Sequence, residues 1–412
     1  MRRRHRAGVQ GQGRRVPGHR RHLRRALPPR RRRGDDRRLR GLAAVRLVAN
    51  SGRGVLPPCP GPSGVRDFHR QLPGYAPTPL REAPRIAARA GVGRVLVKDE
   101  ADRLGLPAFK VLGASWAVYR ALLDHLGVPL GLSFDALAAR LAGRGLVLTT
   151  ATDGNHGRAV AHVARRLGLA AHIFVPAGTS PARIEAIEGE GASCQVVAGD
   201  YDDAVAVAAT AGAGGIVVSD TSWPGYETIP GYVIEGYATI LDEVEEAIDA
   251  GVEDAVGGGV DTVLVPIGVG ALAAAVAQWF RCRGREVRLI GVEPDGAHCA
   301  LASIEAGGIV EVPGPHTSIM AGLNCGRPSP VAWPWLSGGF NLFTAIDDEH
   351  AEAGMRALAA EGTVSGETGA AAAGALLAFG GEALGLAPDA TVLVLSTEGA
   401  TDPRLYAEIV GT

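Results

Sequence analysis

The chain contains only two lysines, Lys98 and Lys110. The other 40 of its 42 lysine and arginine side chains are arginines. The amine of a desolvated lysine can attack a carbonyl carbon, whereas arginine, with a pKa above about 12, keeps its proton. Lys110 lies in residues 107–114, which read Pro-Ala-Phe-Lys-Val-Leu-Gly-Ala. We interpret Lys110 as a candidate for imine-forming chemistry. The alternative is that a coding bias toward arginine left these two lysines without a chemical role.

The residues that follow Lys110 predict an amphipathic helix. Apolar side chains recur at intervals of three and four, at Phe109, Leu112, Trp116, Tyr119 and Leu123. Lys110 lies beside this apolar stripe and near the predicted start of the helix. Its amine is therefore expected to face a cavity.

Four other loops, each directly after a predicted strand, also carry residues that could do chemistry. Residues 149–157 (TTATDGNHG) open a helix whose free N–H groups suit a carboxylate, although Asp153 and Asn155 could equally be simple caps. Residues 266–272 (PIGVGAL) form a glycine turn of the kind that binds phosphate, or only a turn. Ala273 replaces the third glycine of a dinucleotide fingerprint, which disfavours a nicotinamide oxidoreductase. The last two loops place Asp220 and Ser396 directly after strands.

The elements that must position these loops alternate between strand and helix. Such alternation over residues 145–219, and again from 261 to 395, implies parallel βαβ units. We predict an α/β fold with two open three-layer α/β/α domains, mostly parallel sheets, and ligands at the carboxyl ends of the strands. Residues 46–112 and 236–412 would form a large domain and residues 113–235 a small one. The Gly/Pro-rich residues 48–79 are expected to be an extended arm.

Charge and composition exclude several classes of function. Residues 1–40 hold 17 arginines and two aspartates, whereas residues 41–412 carry 25 basic and 41 acidic side chains. The acidic body opposes a nucleic-acid-binding module, because phosphate contacts need a basic face. We expect residues 1–45 to be disordered or to result from a misassigned start codon. No segment suits a signal peptide or membrane span, and five cysteines, odd in number and without metal-ligand spacing, indicate a reducing cytoplasm and no metal site.

A primary amine, a phosphate-binding turn, a carboxylate-binding helix start and a neutral hydroxyl at a strand end are together the parts that a pyridoxal phosphate enzyme requires. Their order along the chain resembles that of the tryptophan synthase β-subunit (fold type II) superfamily of such enzymes. Within it, six segments are similar to the diaminopropionate ammonia-lyase family: residues 73–80 (PGYAPTPL), 97–100 (VKDE), 108–113 (AFKVLG), 152–157 (TDGNHG), 220–230 (DTSWPGYETIP) and 396–403 (STEGATDP). The resemblance extends from about residue 46 to the C-terminus.

The resemblance implies a role for each matching residue. Lys110 would bind pyridoxal 5'-phosphate as an imine and Lys98 would be a structural cation. The other cofactor contacts would be Asn155 to the ring oxygen, Gly268, Val269, Gly270, Ala271 and Leu272 to the phosphate, and Ser396 to the pyridine nitrogen. The substrate would bind to Thr152, Asp153, Gly154, Asn155 and His156. Asp153 and Asp220 would be the bases for the D and L enantiomers of the substrate.

The activity that the resemblance implies is α,β-elimination on 2,3-diaminopropionate, a small amino-acid substrate, to give pyruvate and ammonia in a homodimeric enzyme. The alternatives are a serine/threonine or hydroxyaspartate dehydratase, or a β-replacement enzyme of the same fold. Dehydratases usually have serine at the position of Asp153, so Asp153 and Asp220 together disfavour them. The physiological substrate and any need for a monovalent cation stay open.

Overall fold

A computed structural model describes residues 45–61, 64–152, 154–211, 215–250 and 259–411. The strands within these residues are β1 (Arg46–Ala49), β2 (Leu80–Glu82), β3 (Arg94–Asp99), β4 (Val147–Ala151), β5 (Ala170–Pro176), β6 (Ser193–Val197), β7 (Ile216–Val217), β8 (Thr262–Pro266), β9 (Arg288–Pro294), β10 (Leu342–Ile346) and β11 (Thr391–Ser396).

The helices connect these strands and cover their faces. They are α1 (Val65–Arg70), α2 (Pro84–Ala90), α3 (Lys110–Leu126), α4 (Phe134–Leu141), α5 (Asn155–Leu167), α6 (Pro181–Glu188), α7 (Tyr201–Ala211), α8 (Thr228–Gly236), α9 (Ala238–Asp249), α10 (Ala271–Arg281), α11 (Cys299–Ala306), α12 (Trp333–Gly339), α13 (Asp348–Ala360), α14 (Ala371–Ala383) and α15 (Pro403–Val410). A short 3₁₀ turn covers Ala321–Leu323. None of the helices in the described ranges is both long and apolar enough to cross a bilayer.

The strands form two sheets. The larger has seven strands in the order β1-β10-β9-β8-β11-β3-β2, in which only the edge strands β1 and β2 pair antiparallel to their neighbours. The smaller has four parallel strands in the order β6-β5-β4-β7. Every residue of β8 and β10 is buried, because helices cover both faces of the larger sheet. The predicted α/β class with mostly parallel sheets is confirmed.

The two sheets draw on different parts of the chain. The larger takes its strands from residues 46–99 and 262–396, and the smaller from residues 147–217. The predicted domain boundaries, after residue 112 and after residue 235, fall within α3 and α8. These boundaries stay predictions, and the Arg-rich residues 1–44 lie outside the described part of the chain.

Two expectations need correction. The arm predicted over residues 48–79 contains helix α1, which buries Val65 and Phe68 at a spacing of three in the core. In addition, Cys59 forms a disulfide with Cys282, with a Cα–Cα distance of 5.6 Å. The number of cysteines therefore does not indicate a reducing compartment. The two cysteines are 223 residues apart, and so long a separation gives no spacing pattern from which the disulfide could be predicted.

Candidate active site

A cleft that is partly open to solvent lies at the carboxyl ends of strands from both sheets. Its walls come from loops that follow β8, β11 and β7 and from the starts of the four helices α3, α5, α7 and α10. The lining residues are Phe109, Lys110, Asn155, Tyr201, Asp220, Pro266, Gly268, Val269, Gly270, Ala271, Leu272, Gly322, Leu323, Asn324, Cys325, Thr368, Thr397 and Glu398. Most of the side chains and turns singled out from the sequence therefore meet in one place.

Lys110 is the first residue of α3, and backbone hydrogen bonds fix the loop that precedes it. The N–H of Phe109 donates to the carbonyl of Thr397 at 3.2 Å, and the N–H of Gly399 donates to the carbonyl of Pro107 at 2.9 Å. The start of α3 is thus tied to the loop after β11. The Lys110 side chain is 18% exposed, so its amine is reachable from the cleft.

Lys110 pairs with Asp220, whose Oδ2 accepts from Nζ at 2.7 Å. The hydroxyl of Tyr201 donates to the other carboxylate oxygen of Asp220 at 3.0 Å. Burial opposes ionisation of Asp220, but Lys110 and His156 outweigh it and hold the pKa of this carboxyl well below its usual range. Asp220 is therefore an ionised carboxylate beside a lysine amine.

The loop between β4 and α5 contributes Asn155 to the cleft, and its side-chain amide donates to Glu398. Two other side chains of this loop, those of Thr152 and His156, make hydrogen bonds to backbone groups. Thr152 Oγ1 accepts the N–H of Gly154 at 2.9 Å, and His156 Nε2 donates to the carbonyl of Val218 at 2.8 Å. Asp153 lies outside the described residues, so its predicted place in the site stays a prediction.

The glycine turn after β8 has the form of a phosphate seat. A Cβ on Gly268 would lie 2.7 Å from the carbonyl oxygen of Gly322, and Gly270 has a positive φ of 95°. Both positions therefore require glycine. The N-terminal N–H groups of α10 begin here, where no carbonyl of the helix itself can accept them. This turn fits the phosphate of pyridoxal phosphate.

Ser396 lies at the end of β11, and its hydroxyl donates to Ser365 Oγ at 2.8 Å, with both residues fully buried. It does not appear among the described residues that line the cleft. The next residue, Thr397, does line the cleft, and its Oγ1 has no hydrogen-bond partner within the described part of the chain. A buried hydroxyl in need of a partner suits the pyridine nitrogen of the cofactor as well as Ser396 does.

Lys98 lies in a different environment. Its Nζ donates to Glu243 at 2.6 Å and to the carbonyl of Thr78 at 2.7 Å. Arg103 binds both Glu243 and Glu100, and these four charged side chains are at most 1% exposed. Two cations and two carboxylates balance inside the protein, so Lys98 is not reachable from the cleft.

Some residues of the site were missed at the level of sequence. Tyr201, Asn324, Thr368 and Glu398 line the cleft, yet no spacing in the chain connects them to Lys110. Of these four residues, only Glu398 could have been predicted as a site residue, because it follows the same buried strand as Ser396. Polar residues just beyond the carboxyl end of a buried parallel strand could have been included on that ground.

The comparisons with known proteins agree with this geometry. Residues 71–398 match the family model described as pyridoxal-phosphate dependent enzyme. The chain is 40% identical over 366 residues to the diaminopropionate ammonia-lyase of Escherichia coli strain K12. The aligned region covers 84% of this chain and 90% of that protein.

Two solved structures of the Escherichia coli diaminopropionate ammonia-lyase are also similar. The complex with D-serine superposes with a TM-score of 0.81 at 37% identity, over 89% of this chain and 97% of that one. The complex with an aminoacrylate-PLP azomethine reaction intermediate gives a TM-score of 0.81 at 36% identity, over the same shares of the two chains.

Proposed function

The chain belongs to the family of pyridoxal-phosphate dependent enzymes, and from this premise we propose that it is a diaminopropionate ammonia-lyase. It would convert 2,3-diaminopropionate to pyruvate and ammonia, as the names of its relatives suggest. One observation carries the proposal: Lys110 Nζ lies 2.7 Å from Asp220 Oδ2 in a cleft that also contains the glycine turn. An amine for the cofactor and a carboxylate for a proton are therefore neighbours.

Pyridoxal phosphate, when bound, would withdraw electrons from the α-carbon of the substrate and so acidify its α-proton. Lys110 would hold the cofactor covalently, and the N–H groups of the turn at 268–272 would hold its phosphate. Asn155 would contact its ring oxygen. Ser396 is the predicted partner of its pyridine nitrogen. Thr397 is the alternative, because it lines the cleft and its Oγ1 has no hydrogen-bond partner within the described part of the chain.

Two aspartates would serve as bases in this site. Asp220 lies beside the Lys110 amine and would accept the α-proton of the L enantiomer. Tyr201 orients the Asp220 carboxylate through its second oxygen. Asp153 would serve the D enantiomer, and the backbone N–H groups of its loop, residues 152–156, would bind the carboxylate of the substrate.

We infer in addition that the enzyme is a homodimer of the cytoplasm. The dimer is supported by the resemblance to fold type II enzymes, and light scattering of the purified protein tests it. Disulfides are uncommon in the cytoplasm, so a cytoplasmic enzyme would hold the adjacent Cys59 and Cys282 as thiols. Cell fractionation, with thiol labelling of both cysteines, decides this part of the proposal.

The attachment residue is tested by reducing the holoenzyme with borohydride and mapping the modified peptide by mass spectrometry. We expect the phosphopyridoxyl group on Lys110, and a label on Lys98 would refute the assignment. The activity is tested by measuring pyruvate from 2,3-diaminopropionate, serine and threonine. A higher kcat/KM for serine or threonine would refute the proposed substrate and favour a dehydratase.

A further inference from the structure

The Asp220 loop, residues 218–226, follows β7 and is closed on itself. The hydroxyl of Tyr226 donates to the carbonyl of Val217 at 2.8 Å, and the N–H of Tyr226 donates to the carbonyl of Trp223 at 2.8 Å. The rings of Trp223 and Tyr226 stack with centroids 4.1 Å apart. These contacts join the two ends of the loop, so a contact that holds one part of the loop also holds Asp220.

Ser222, two residues after Asp220, attaches this loop to residues 329–331. The N–H of Ser222 donates to Ser329 Oγ at 3.0 Å, and the hydroxyls of the two serines form a hydrogen bond of 3.0 Å. The N–H of Val331 donates to Ser222 Oγ at 3.0 Å. Ser222 is 6% exposed and Ser329 is fully buried. Removal of either hydroxyl would therefore leave a buried N–H group without its acceptor, which is costly.

Ser329 also supports the phosphate turn. Its N–H donates to the carbonyl of Val269 at 2.8 Å, and its carbonyl accepts the N–H of Ala332, just before α12, at 2.9 Å. A Cβ on Gly270 would lie 2.9 Å from the side chain of Leu336, so α12 packs directly against the turn. Ser329 therefore contacts the phosphate turn through its backbone and the Asp220 loop through its hydroxyl.

The two serines connect parts of the site that come from different sheets. The Asp220 loop follows β7 of the smaller sheet, and the phosphate turn follows β8 of the larger one. A base must lie within hydrogen-bond reach of the proton that it removes, and a displacement of about 1 Å can lower the rate about 100-fold. The turn would fix the cofactor and the loop would fix the base, so the reaction depends on the distance between them.

We propose that Ser222 and Ser329 are positioning residues that hold Asp220 in place relative to the phosphate turn and so support activity on the L enantiomer of 2,3-diaminopropionate; this inference rests on the proposed function. The pair joins the loop of the base to the seat of the cofactor through side chains that lie outside the reaction itself. Its loss should displace Asp220 and leave the phosphate turn in place, because the N–H of Ser329 still donates to Val269 when the hydroxyl is removed.

The predicted base for the D enantiomer, Asp153, belongs to a different loop. That loop, between β4 and α5, has its own attachment to the larger sheet, because the amide of Asn155 donates to Glu398 after β11. His156 joins it to the Asp220 loop at the carbonyl of Val218, next to the end of β7. We therefore expect loss of the serine pair to affect the L enantiomer far more than the D enantiomer.

The test compares kcat/KM for the L and D enantiomers of 2,3-diaminopropionate in the wild-type holoenzyme, in Ser222→Ala, in Ser329→Ala and in the double variant. We expect the L/D ratio to fall about 10- to 100-fold in each single variant, as for a base displaced by about 1 Å. The double variant should lose little more, since the two hydroxyls belong to one contact. A ratio cancels any loss of folded or cofactor-loaded enzyme that affects both enantiomers. An unchanged ratio in the single variants, or losses that multiply in the double variant, would overturn the inference.

Ser303→Ala is the matched control. Ser303 is also a fully buried serine, and its hydroxyl donates to the carbonyl of Cys299 at 2.7 Å and accepts the N–H of Val310 at 3.0 Å. It belongs to α11 and is not among the described residues that line the cleft. We expect its L/D ratio to equal that of the wild type. A fall as large as that of Ser222→Ala would show that loss of any buried hydroxyl changes the ratio, and the inference would then be wrong.

A second measurement does not depend on activity. Amide hydrogen exchange of the peptide over residues 218–226, followed by mass spectrometry of the holoenzyme, should be faster in Ser222→Ala and Ser329→Ala, because a segment that loses buried contacts opens more often. Ser303→Ala should exchange like the wild type in this peptide. Wild-type exchange in both single variants would show that the serine pair does not hold the loop, whatever the ratio.

Asp220→Asn separates the inference from the proposed function. If the wild type does not convert 2,3-diaminopropionate, or if Asp220→Asn loses both enantiomers equally, the proposed function or its assigned base fails and the inference fails with it. If Asp220→Asn loses the L enantiomer selectively and both serine variants keep the wild-type ratio, only the inference fails. Selective loss of the L enantiomer in Asp220→Asn and in both serine variants supports the two together.

Discussion

Gly113→Ala probes how helix α3 is held behind Lys110. Gly113 lies in the first turn of α3, and a Cβ there would be 2.5 Å from Tyr237 Cε1 and 2.9 Å from Val233 Cγ1. On the other side of the contact, a Cβ on Gly236 would be 2.7 Å from the Cα of Gly113. Helices α3 and α8 therefore touch through a glycine on each, and any added carbon must displace a neighbour.

Two effects of the substitution oppose each other. Replacing glycine by alanine in a helix contributes roughly 0.5–1 kcal/mol of stability. Overpacking a filled core costs about 1–3 kcal/mol. Tyr237 is fully buried and its ring centroid lies 4.7 Å from that of Phe109, so the ring has no space to move into. The packing cost exceeds the helical gain, and we expect a net loss of about 1–2 kcal/mol.

The loss should appear as a lower midpoint of urea unfolding at an unchanged m value, measured by tryptophan fluorescence. Because the substitution also displaces the start of α3, the visible absorbance of the bound cofactor at Lys110 should weaken. Gly231→Ala is the matched control in α8, where a Cβ meets nothing within 4 Å. It should raise stability by about 0.4–1 kcal/mol. A Gly113→Ala protein as stable as the wild type would refute the packing argument.

Three further predictions concern the cleft. Asp220→Asn should lower kcat for the L enantiomer of 2,3-diaminopropionate by about 10²- to 10⁴-fold and leave the D enantiomer much less affected, as measured by pyruvate release; equal losses would contradict its role as a base for one enantiomer. Gly268→Ala should weaken binding of pyridoxal phosphate, measured by titrating the apoenzyme, because its Cβ would lie 2.7 Å from a backbone carbonyl oxygen at the phosphate turn. Burial and Glu398 raise the pKa of Glu367 to about 7, so the folded protein binds that proton more tightly than the unfolded chain does. The wild type should therefore lose stability relative to Glu367→Gln as pH rises from about 4.5 to about 7, with a constant difference above that range; parallel stability curves would contradict the raised pKa.

Much of the framework could be predicted because it depends on local signals. The run from Thr262 to Pro266 is apolar at nearly every position, and a strand buried on both faces requires that. Loops after such strands meet at one edge of a sheet, so Lys110, Asp220 and the turn beginning at Gly268 could be assigned to one cleft. The structure brings these three together.

Other features could not be predicted because they depend on pairing between distant residues. Strand β1 is a four-residue edge strand that pairs only with β10, about 300 residues later. Such a short segment has too few positions for a period to be recognised. The contacts of Glu398 with Asn155 and Thr368 join three loops in the same way. Their spacing in the sequence carries no information on that contact.

The two lysines show why residue type alone could not assign the site. Each donates to a carboxylate at nearly the same distance, 2.6 Å for Lys98 and 2.7 Å for Lys110. The difference is in what surrounds each pair. Lys98 is 1% exposed, and Arg103 completes a set of two cations and two carboxylates whose charges balance. Lys110 is 18% exposed in a cleft that also contains the glycine turn, so its amine is accessible to a ligand in the cleft. A reactive lysine is therefore distinguished by access and by the charge around its partner, and both depend on the tertiary structure.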